Sequence, residues 1–250
     1  HSYAAPYFLY DIEDKSVIAL AKGDPNLQNV ELSPDGASVA FVRDNNLYVA
    51  DVETGTSRAM TTDGSDNILN GVFDWVYEEE FGRPDAYRWS PDGKSIALWR
   101  TDQTRVYTFT IIDDIPYYSA TTALKYPKVG EQNAVVQILV ADVATGNLKQ
   151  MDIGDDDDIY IPRINWTNAP NTLAMQRLNR KQNKLELLMA YTPSGKSSVA
   201  MTDENEAWID VTNDFIFLKG SNSFLFTSEK SGYRHIYMAD YNGKEQQLTS

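Results

Sequence analysis

Residues 29–61 read NVELSPDGASVAFVRDNNLYVADVETGTSRAMT, a stretch of short apolar strands separated by turns. Ser33-Pro34-Asp35-Gly36 predicts a tight turn, and so do Asn45-Asn46 and Thr54-Gly55, because these residues tolerate the backbone angles that turns need. Val39–Val42 is continuously apolar, and the next strand alternates between apolar and polar residues. Four strands in about thirty residues form the pattern of one β-propeller blade.

The same block recurs along the chain, and the second copy repeats the turn as Ser90-Pro91-Asp92-Gly93. Strand periodicity dominates, and sandwiches or barrels rarely repeat a four-strand block, so the sequence predicts an all-β fold with about four and a half propeller blades. Propellers usually close with about 4–8 blades, so the parent domain is expected to be larger. The predicted segments are a blade end at 1–21 and blades at 29–62, 87–152 with an insertion at 101–133, 159–202 and 213–250.

Composition narrows the range of partners and sites. The chain is 42% hydrophobic and 23% charged, as in an ordinary folded protein, and its net charge of −14 disfavours nucleic acid and anionic lipid as partners. The absence of Cys excludes disulfides and thiolate metal sites. No membrane segment is predicted, because no apolar run approaches the roughly 20 residues that span a bilayer. The chain starts without Met or a signal-like segment, so we expect a fragment of a longer protein.

Residues 71–82, GVFDWVYEEEFG, interrupt the strand pattern and predict a short helix of one or two turns. Asp74 is a suitable N-cap for this helix. Projection onto an α-helix places Glu80 among the apolar side chains, with Glu78 and Glu79 pointing elsewhere. The apolar residues of the predicted stripe are Phe73, Val76, Tyr77 and Phe81.

The three consecutive Glu residues allow two interpretations. They could complement the helix dipole and remain solvated on the surface. Alternatively, adjacent carboxylates in a cavity could hold a protonated amine, because an α-ammonium with a pKa of about 7.7–8.0 is charged at neutral pH and offers three donors. The physical chemistry of the run does not by itself decide between these interpretations.

Five segments, in order along the chain, resemble the N-terminal β-propeller of the dipeptidyl peptidase IV family in the prolyl oligopeptidase clan. They are His1-Ser2-Tyr3, DWVYEEE at 74–80, KYPKVGEQN at 125–133, RLNRKQN at 177–183 and GYRHIY at 232–237. The resemblance implies an eight-bladed propeller that caps a catalytic α/β-hydrolase domain, which is absent from this chain. It also implies that the second and third Glu of the motif, Glu79 and Glu80, bind the free N-terminus of a substrate.

The function implied by this resemblance is a substrate-gating, N-terminus-recognising propeller of a serine exopeptidase that releases N-terminal X-Pro or X-Ala dipeptides. The implied partners are a peptide with a free N-terminus, the C-terminal α/β-hydrolase domain of the same parent chain, and a second copy in a homodimer. No cofactor is implied, and a periplasmic or extracellular location is expected. Trp208 falls where family members have a loop lining the outer substrate pocket, so it is a possible substrate-pocket residue, with packing within a blade as the alternative.

Two other functions stay open at this point: a prolyl tripeptidyl peptidase of the same family, and a non-catalytic propeller that binds peptides or proteins. No catalytic residue is predicted, because the chain has no Gly-x-Ser-x-Gly elbow and His235 is expected to be structural. Asp155–Asp158 lacks the spacing and glycine of a calcium loop, so it predicts a solvated turn and no metal. The basic residues Arg177, Arg180 and Lys181 are interpreted as a strand and hairpin edge without a site.

Overall fold

The Ser-Pro-Asp-Gly turns are held by their own side chains. The structure is a computed structural model that describes residues 4–83, 85–169 and 171–250. Ser33 Oγ donates to Asp35 Oδ1 (2.6 Å) and accepts from Ser38 N (2.9 Å), and Gly36 has a φ of +73°, which Gly adopts without strain. The same pair of side-chain hydrogen bonds recurs around Ser90. These local contacts turn the chain back on itself and begin an antiparallel strand pair.

The described residues form two two-stranded hairpins, three four-stranded antiparallel sheets and one five-stranded sheet. In chain order, the first hairpin is β1 (Phe8–Asp11) with β2 (Ser16–Ala19), and the first four-stranded sheet is β3 (Gln28–Leu32), β4 (Ser38–Arg43), β5 (Asn46–Asp51) and β6 (Ser57–Ala59). The strands that follow are β7 (Ile68–Asn70), β8 (Tyr87–Trp89) and β9 (Ser95–Asp102). The second hairpin is β10 (Thr108–Asp113) with β11 (Ala120–Lys125).

Strands β12 (Val135–Asp142) and β13 (Leu148–Gln150) complete the five-stranded sheet, whose order is β13-β12-β9-β7 with β8 also paired to β9. The next four-stranded sheet is β14 (Ile159–Trp166), β15 (Thr172–Asn179), β16 (Lys184–Tyr191) and β17 (Ser197–Glu204). The last is β18 (Ile216–Phe217), β19 (Ser223–Ser228), β20 (His235–Asp240) and β21 (Glu245–Gln247). In all three four-stranded sheets each strand pairs with the next along the chain, which is the arrangement of a propeller blade.

Helical structure among the described residues is confined to a 3₁₀ turn at Leu20–Gly23 and a π-helix at Val76–Glu80. None of these helical segments is long and apolar enough to cross a membrane. The chain divides into two compact units: one is the chain up to Tyr87 together with Trp99–Val135, and the other is Arg88–Leu98 together with Val136–Ser250.

Each unit has its own apolar core. In the first unit, one cluster is formed by buried residues of β4, β5 and the segment before β3: Leu20, Leu27, Val39, Phe41 and Ala50. In the second unit, the last sheet contains a group of four aromatic rings with centroids 5.8–6.0 Å apart: Phe215, Phe217, Phe224 and Phe226. Alternating inward residues therefore build these cores from neighbouring strands, as expected for antiparallel sheets.

The interpretation of Arg177 as part of a strand edge is wrong. Arg177 lies on β15, which pairs with both β14 and β16, and its Nε and Nη2 donate to Glu186 Oε2 at 3.0 and 2.6 Å. Its Nη1 donates to the carbonyl of Ile153 (2.8 Å). Glu186 is directly opposite Arg177 in the register of the sheet, so a cross-strand ion pair, rather than an exposed edge, accounts for the charge at this position.

Candidate functional site

The acidic segment begins at Gly71, a position where any side chain would strain the backbone and crowd its neighbours. Gly71 has a φ of +78°, and a Cβ at this position would lie 2.8 Å from Val42 Cγ2. The Gly71 N–H donates to the carbonyl of Trp99 (3.1 Å), and its own carbonyl accepts from Asn29 Nδ2 (3.1 Å). The chain therefore leaves β7 at a point that is anchored to two other segments of the first unit.

Asp74 starts the helix, as the sequence predicts. Its Oδ1 accepts the backbone N–H of Tyr77 (3.1 Å), and its carbonyl accepts the N–H of Glu78 (3.1 Å). The side chain is buried, with 8% exposure, and this burial raises the pKa of Asp74 to about 6, with a smaller contribution from the charge of Glu78. The hydrogen bond from Tyr77 opposes this rise in pKa because it favours the ionised carboxylate.

The helix is a π-helix, and this changes which glutamate lies nearest the apolar face. Phe73 stacks on Tyr77 with ring centroids 4.8 Å apart, and Tyr77 contacts Phe81 at 5.3 Å, so these rings form the buried face. The expectation that Glu80 lies among them is wrong, because Glu80 is exposed. An i to i+5 hydrogen-bonding pattern winds more residues into each turn than an α-helix does, so a projection made with α-helical spacing assigns the later residues to the wrong face.

The three glutamates occupy different environments. Glu78 is half-buried, and burial, followed by the charge of Glu79, raises its pKa. Glu79 and Glu80 are both exposed, and their carboxylates have no hydrogen bond or ion pair with any residue that the structure describes. The helix thus presents two neighbouring anions to solvent from a base whose apolar side is buried.

The base of the β10–β11 hairpin packs against this helix. The indole of Trp75 contacts the ring of Tyr126 edge-on, with centroids 4.5 Å apart, and Lys125 Nζ donates to the carbonyl of Val106 (2.8 Å). Two of the segments that carry the family resemblance, 74–80 and 125–133, therefore meet in the first unit. Between them lies an open cavity of about 490 Å³, lined among others by Asp74 and Glu78.

Trp208 lies in the second unit, in the loop that follows β17. The residue is 53% exposed, so it is not a buried packing residue of a blade. It lines a cavity of about 200 Å³ together with residues of β17, the following loop and the β19–β20 turn, among them Asp203, Asp210 and Arg234. Sequence reasoning missed Asp203, because only the observed register shows that this strand residue faces inward.

The remaining predicted positions show ordinary surface contacts. Asp155–Asp158 are exposed, and Asp158 Oδ1 accepts from Arg180 Nη1 (2.8 Å). His235 begins β20, with its Nδ1 3.3 Å from Thr249 Oγ1. No group of three or more potential metal ligands occurs within the described ranges 4–83, 85–169 and 171–250. The segment His1-Ser2-Tyr3, which contributes to the resemblance, lies outside the described residues.

Comparison with known proteins identifies the family. The family model for the dipeptidyl peptidase IV (DPP IV) N-terminal region matches residues 1–250. The chain belongs to this family. The chain is similar to dipeptidyl peptidase 4 of Trichophyton tonsurans, with 33% identity over 100% of this chain, and to a probable dipeptidyl peptidase 4 of Aspergillus flavus, with 32% identity over 98% of it.

The same relationship holds in three dimensions. The crystal structure of Porphyromonas gingivalis dipeptidyl peptidase 4 superimposes with a TM-score of 0.91 and 35% identity over 100% of this DPP IV-family chain. The all-β, propeller-type fold expected from the repeats is therefore confirmed. The chain spans 34% of the length of the two curated fungal relatives and 36% of the bacterial chain, so it corresponds to about a third of these proteins.

Proposed function

We propose that this chain is the substrate-gating and N-terminus-recognising propeller of a serine exopeptidase that releases N-terminal X-Pro or X-Ala dipeptides. The observation that carries the proposal is the pair of exposed carboxylates, Glu79 and Glu80, at the end of a π-helix whose other side is buried. The names of its relatives support the reaction class, since they are dipeptidyl peptidases.

Electrostatics favours a cationic ligand at these glutamates. Two neighbouring carboxylates repel each other, and a cation bound to both removes that repulsion while it gains charge-assisted hydrogen bonds. The α-ammonium of a peptide meets this requirement, because it carries three donors on one atom and is protonated at neutral pH. A clamp of this kind would hold the N-terminus at a fixed distance from a reacting serine, which makes the enzyme select the length of the released piece.

Rigidity of the helix supports the same role. The apolar face of the helix is held by stacked rings, Trp75 rests against Tyr126, and Asp74 accepts the first free N–H. A site that measures length must hold its charged atoms within a fraction of an ångström, and a packed second layer of side chains provides this. Glu79 and Glu80 are exposed, so a ligand can reach them.

The partners follow from the same proposal. We infer that the parent protein carries a C-terminal α/β-hydrolase domain that supplies the catalytic serine, that it forms a homodimer, and that it acts in the periplasm or outside the cell. The exposed β10–β11 hairpin supports the homodimer, because its tip presents Ile115, Tyr117 and Tyr118 with 83–95% of each side chain exposed.

The test is made on the full-length parent protein with a chromogenic X-Pro substrate. We expect Glu79→Gln and Glu80→Gln each to lower kcat/KM by roughly a hundredfold or more, since each removes one charge partner of the ammonium. Glu53→Gln is the matched control, because Glu53 is an exposed residue of a β-turn elsewhere in the first unit.

Thermal unfolding of all three variants should stay within about 2 °C of the wild type, because exposed side chains contribute little to stability. Unchanged kcat/KM in both Glu79→Gln and Glu80→Gln would rule out the proposed role of this pair. A full-length protein without X-Pro dipeptidyl activity would rule out the proposed reaction itself.

A further inference from the structure

Asp203 is a buried residue whose carboxylate has no partner among the residues that the structure describes. It lies near the end of β17, opposite Leu185 of β16, and its side chain is 8% exposed while those of its neighbours Thr202 and Glu204 are exposed. The carboxylate of Asp203 forms no hydrogen bond or ion pair with any residue that the structure describes. An anion surrounded mostly by buried side chains favours a cation or donor that can reach it.

The carboxylate lines the 200 Å³ cavity of the second unit, and the two cations of that cavity are already engaged. Arg234 contacts Asp210 Oδ2 and Glu229 Oε1, each at 3.3 Å. Lys230 pairs with Glu245. The existing ion pairs therefore leave the charge of Asp203 uncompensated, and the electrostatic field inside the cavity favours one additional positive charge.

The size and shape of the cavity restrict which ligand can carry this positive charge. A cavity of about 200 Å³ is smaller than the roughly 300–1,000 Å³ of sites for drug-sized ligands, so it fits one extended side chain better than a whole cofactor. Trp208 forms part of the wall with 53% of its side chain exposed, and an indole face attracts ammonium and guanidinium groups. Asn205 and Thr212 add polar groups to the lining.

We propose that this cavity binds the cationic side chain of a Lys or Arg residue of a peptide, with Asp203 as its counter-ion and Trp208 against its stem. The alkyl stem and terminal cation of these residues match a cavity whose lining includes an aromatic ring and a carboxylate without a partner among the described residues. As a site for a substrate peptide, the inference rests on the proposed function. The binding itself does not depend on Glu79 or Glu80.

Binding is tested directly on the full-length protein labelled with 5-fluorotryptophan, with the ¹⁹F resonance of Trp208 identified by its loss in Trp208→Phe. The probe is N-acetyl-L-arginine amide, whose blocked amine cannot act as a peptide N-terminus. N-acetyl-L-citrulline amide is the neutral control of nearly the same shape. We expect a saturable shift with the arginine compound and at least roughly tenfold weaker binding of the citrulline compound.

Asp203→Asn should weaken binding of the arginine compound by roughly tenfold or more, since the counter-ion is lost while the shape is kept. Glu204→Gln is the matched control, because it removes the same charge from the adjacent, outward-facing position of β17, and it should change the affinity less than about twofold. Equal binding in Asp203→Asn and wild type, or equal binding of the two compounds, would overturn the proposal.

Two further experiments are needed. The first distinguishes a peptide side chain from a free small cation as the ligand, and the second separates the Asp203 site from the Glu79/Glu80 site. Agmatine carries the same guanidinium on an alkyl chain that ends in a free amine instead of a peptide backbone. Tight binding of agmatine without binding of the blocked arginine would overturn the peptide assignment. The double variant Glu79→Gln/Glu80→Gln should bind the arginine compound with wild-type affinity. Loss of peptidase activity in that double variant with retained arginine binding therefore supports both sites independently.

Discussion

At the scale of single residues, two buried aspartates differ in how their charge is compensated. Asp74 accepts a backbone N–H from Tyr77, whereas Asp203 has no partner among the described residues. Each lies in a different unit and lines a cavity. A carboxylate that caps a helix has a structural reason to be buried, and one without such a contact points to a ligand.

Asp74 gives a prediction for the pH dependence of stability. Its folded-state pKa of about 6 lies above its ordinary value of 3.8, so the folded state holds the proton more tightly than the unfolded state. Stability from this group is therefore greatest at low pH and is lost as the pH rises from about 4 to about 6. We expect Asp74→Asn, which cannot ionise, to be more stable than the wild type at about pH 8, by about 3 kcal/mol at most.

The measurement is thermal unfolding of wild type and Asp74→Asn between about pH 4 and pH 8. The difference between the two proteins should shrink towards the acidic end, because protonated Asp and Asn then carry the same charge. Asp74→Ala separates charge from capping, since it removes the acceptor of the Tyr77 N–H and should cost about 1 kcal/mol relative to Asp74→Asn. A difference between Asp74→Asn and wild type that does not vary with pH would contradict the assigned pKa.

At the scale of the elements, the π-helix is flanked by a glycine at each end. Gly71 fixes the entry of the chain, and Gly82, with a φ of +59°, follows the helix. The two glycines share a left-handed backbone but differ in their surroundings, because a Cβ at Gly82 would meet no atom within 4 Å. This difference separates the effect of backbone strain from that of close packing.

We expect Gly82→Ala to cost about 1 kcal/mol, the usual penalty for a side chain in the left-handed region. Gly71→Ala should cost about 1–3 kcal/mol more, because the new methyl group would overlap Val42. The unfolding midpoints of both variants in denaturant measure this difference. Equal destabilisation of the two variants would show that the approach of Val42 does not constrain the helix entry.

Gly71→Ala should also affect the proposed clamp. A displaced helix entry moves Glu79 and Glu80 relative to the rest of the first unit, so KM for a dipeptidyl substrate should rise more than kcat falls. Gly82→Ala is again the control, and it should leave KM within about twofold of the wild type.

At the scale of the whole molecule, the β10–β11 hairpin is largely exposed within the part of the chain that the structure describes. All residues of β10 are exposed, and the hairpin tip carries Tyr117 and Tyr118 in edge-on contact, with centroids 5.0 Å apart. Two-stranded hairpins are marginal in water on their own, so an apolar tip of this kind is most stable against a second surface. The proposed homodimer provides such a surface from a chain of the same sequence.

The prediction concerns the full-length protein in sedimentation experiments. Wild type should sediment as a dimer, and the triple variant Ile115→Ser/Tyr117→Ser/Tyr118→Ser should dissociate, because it removes large exposed apolar groups from the hairpin tip. The melting temperature of the isolated subunit should change little, since these side chains are not buried in it. A wild-type monomer, or a triple variant that remains a dimer, would contradict the proposed role of the hairpin as the dimer contact.

Sequence alone determined the blade repeats, the Ser-Pro-Asp-Gly turns, the cap at Asp74 and the family, because turn chemistry and strand alternation act between residues close together in the chain. Tertiary structure alone decided which glutamate is half-buried, how Arg177 is paired and that Asp203 has no partner among the described residues. These outcomes depend on segments distant in sequence: Glu186 meets Arg177 only through strand register, and Tyr126 meets Trp75 only when the hairpin folds back onto the helix. A charged residue has the same letter in the sequence whether or not the fold supplies its counter-ion, so only the packed molecule reveals the unpaired one.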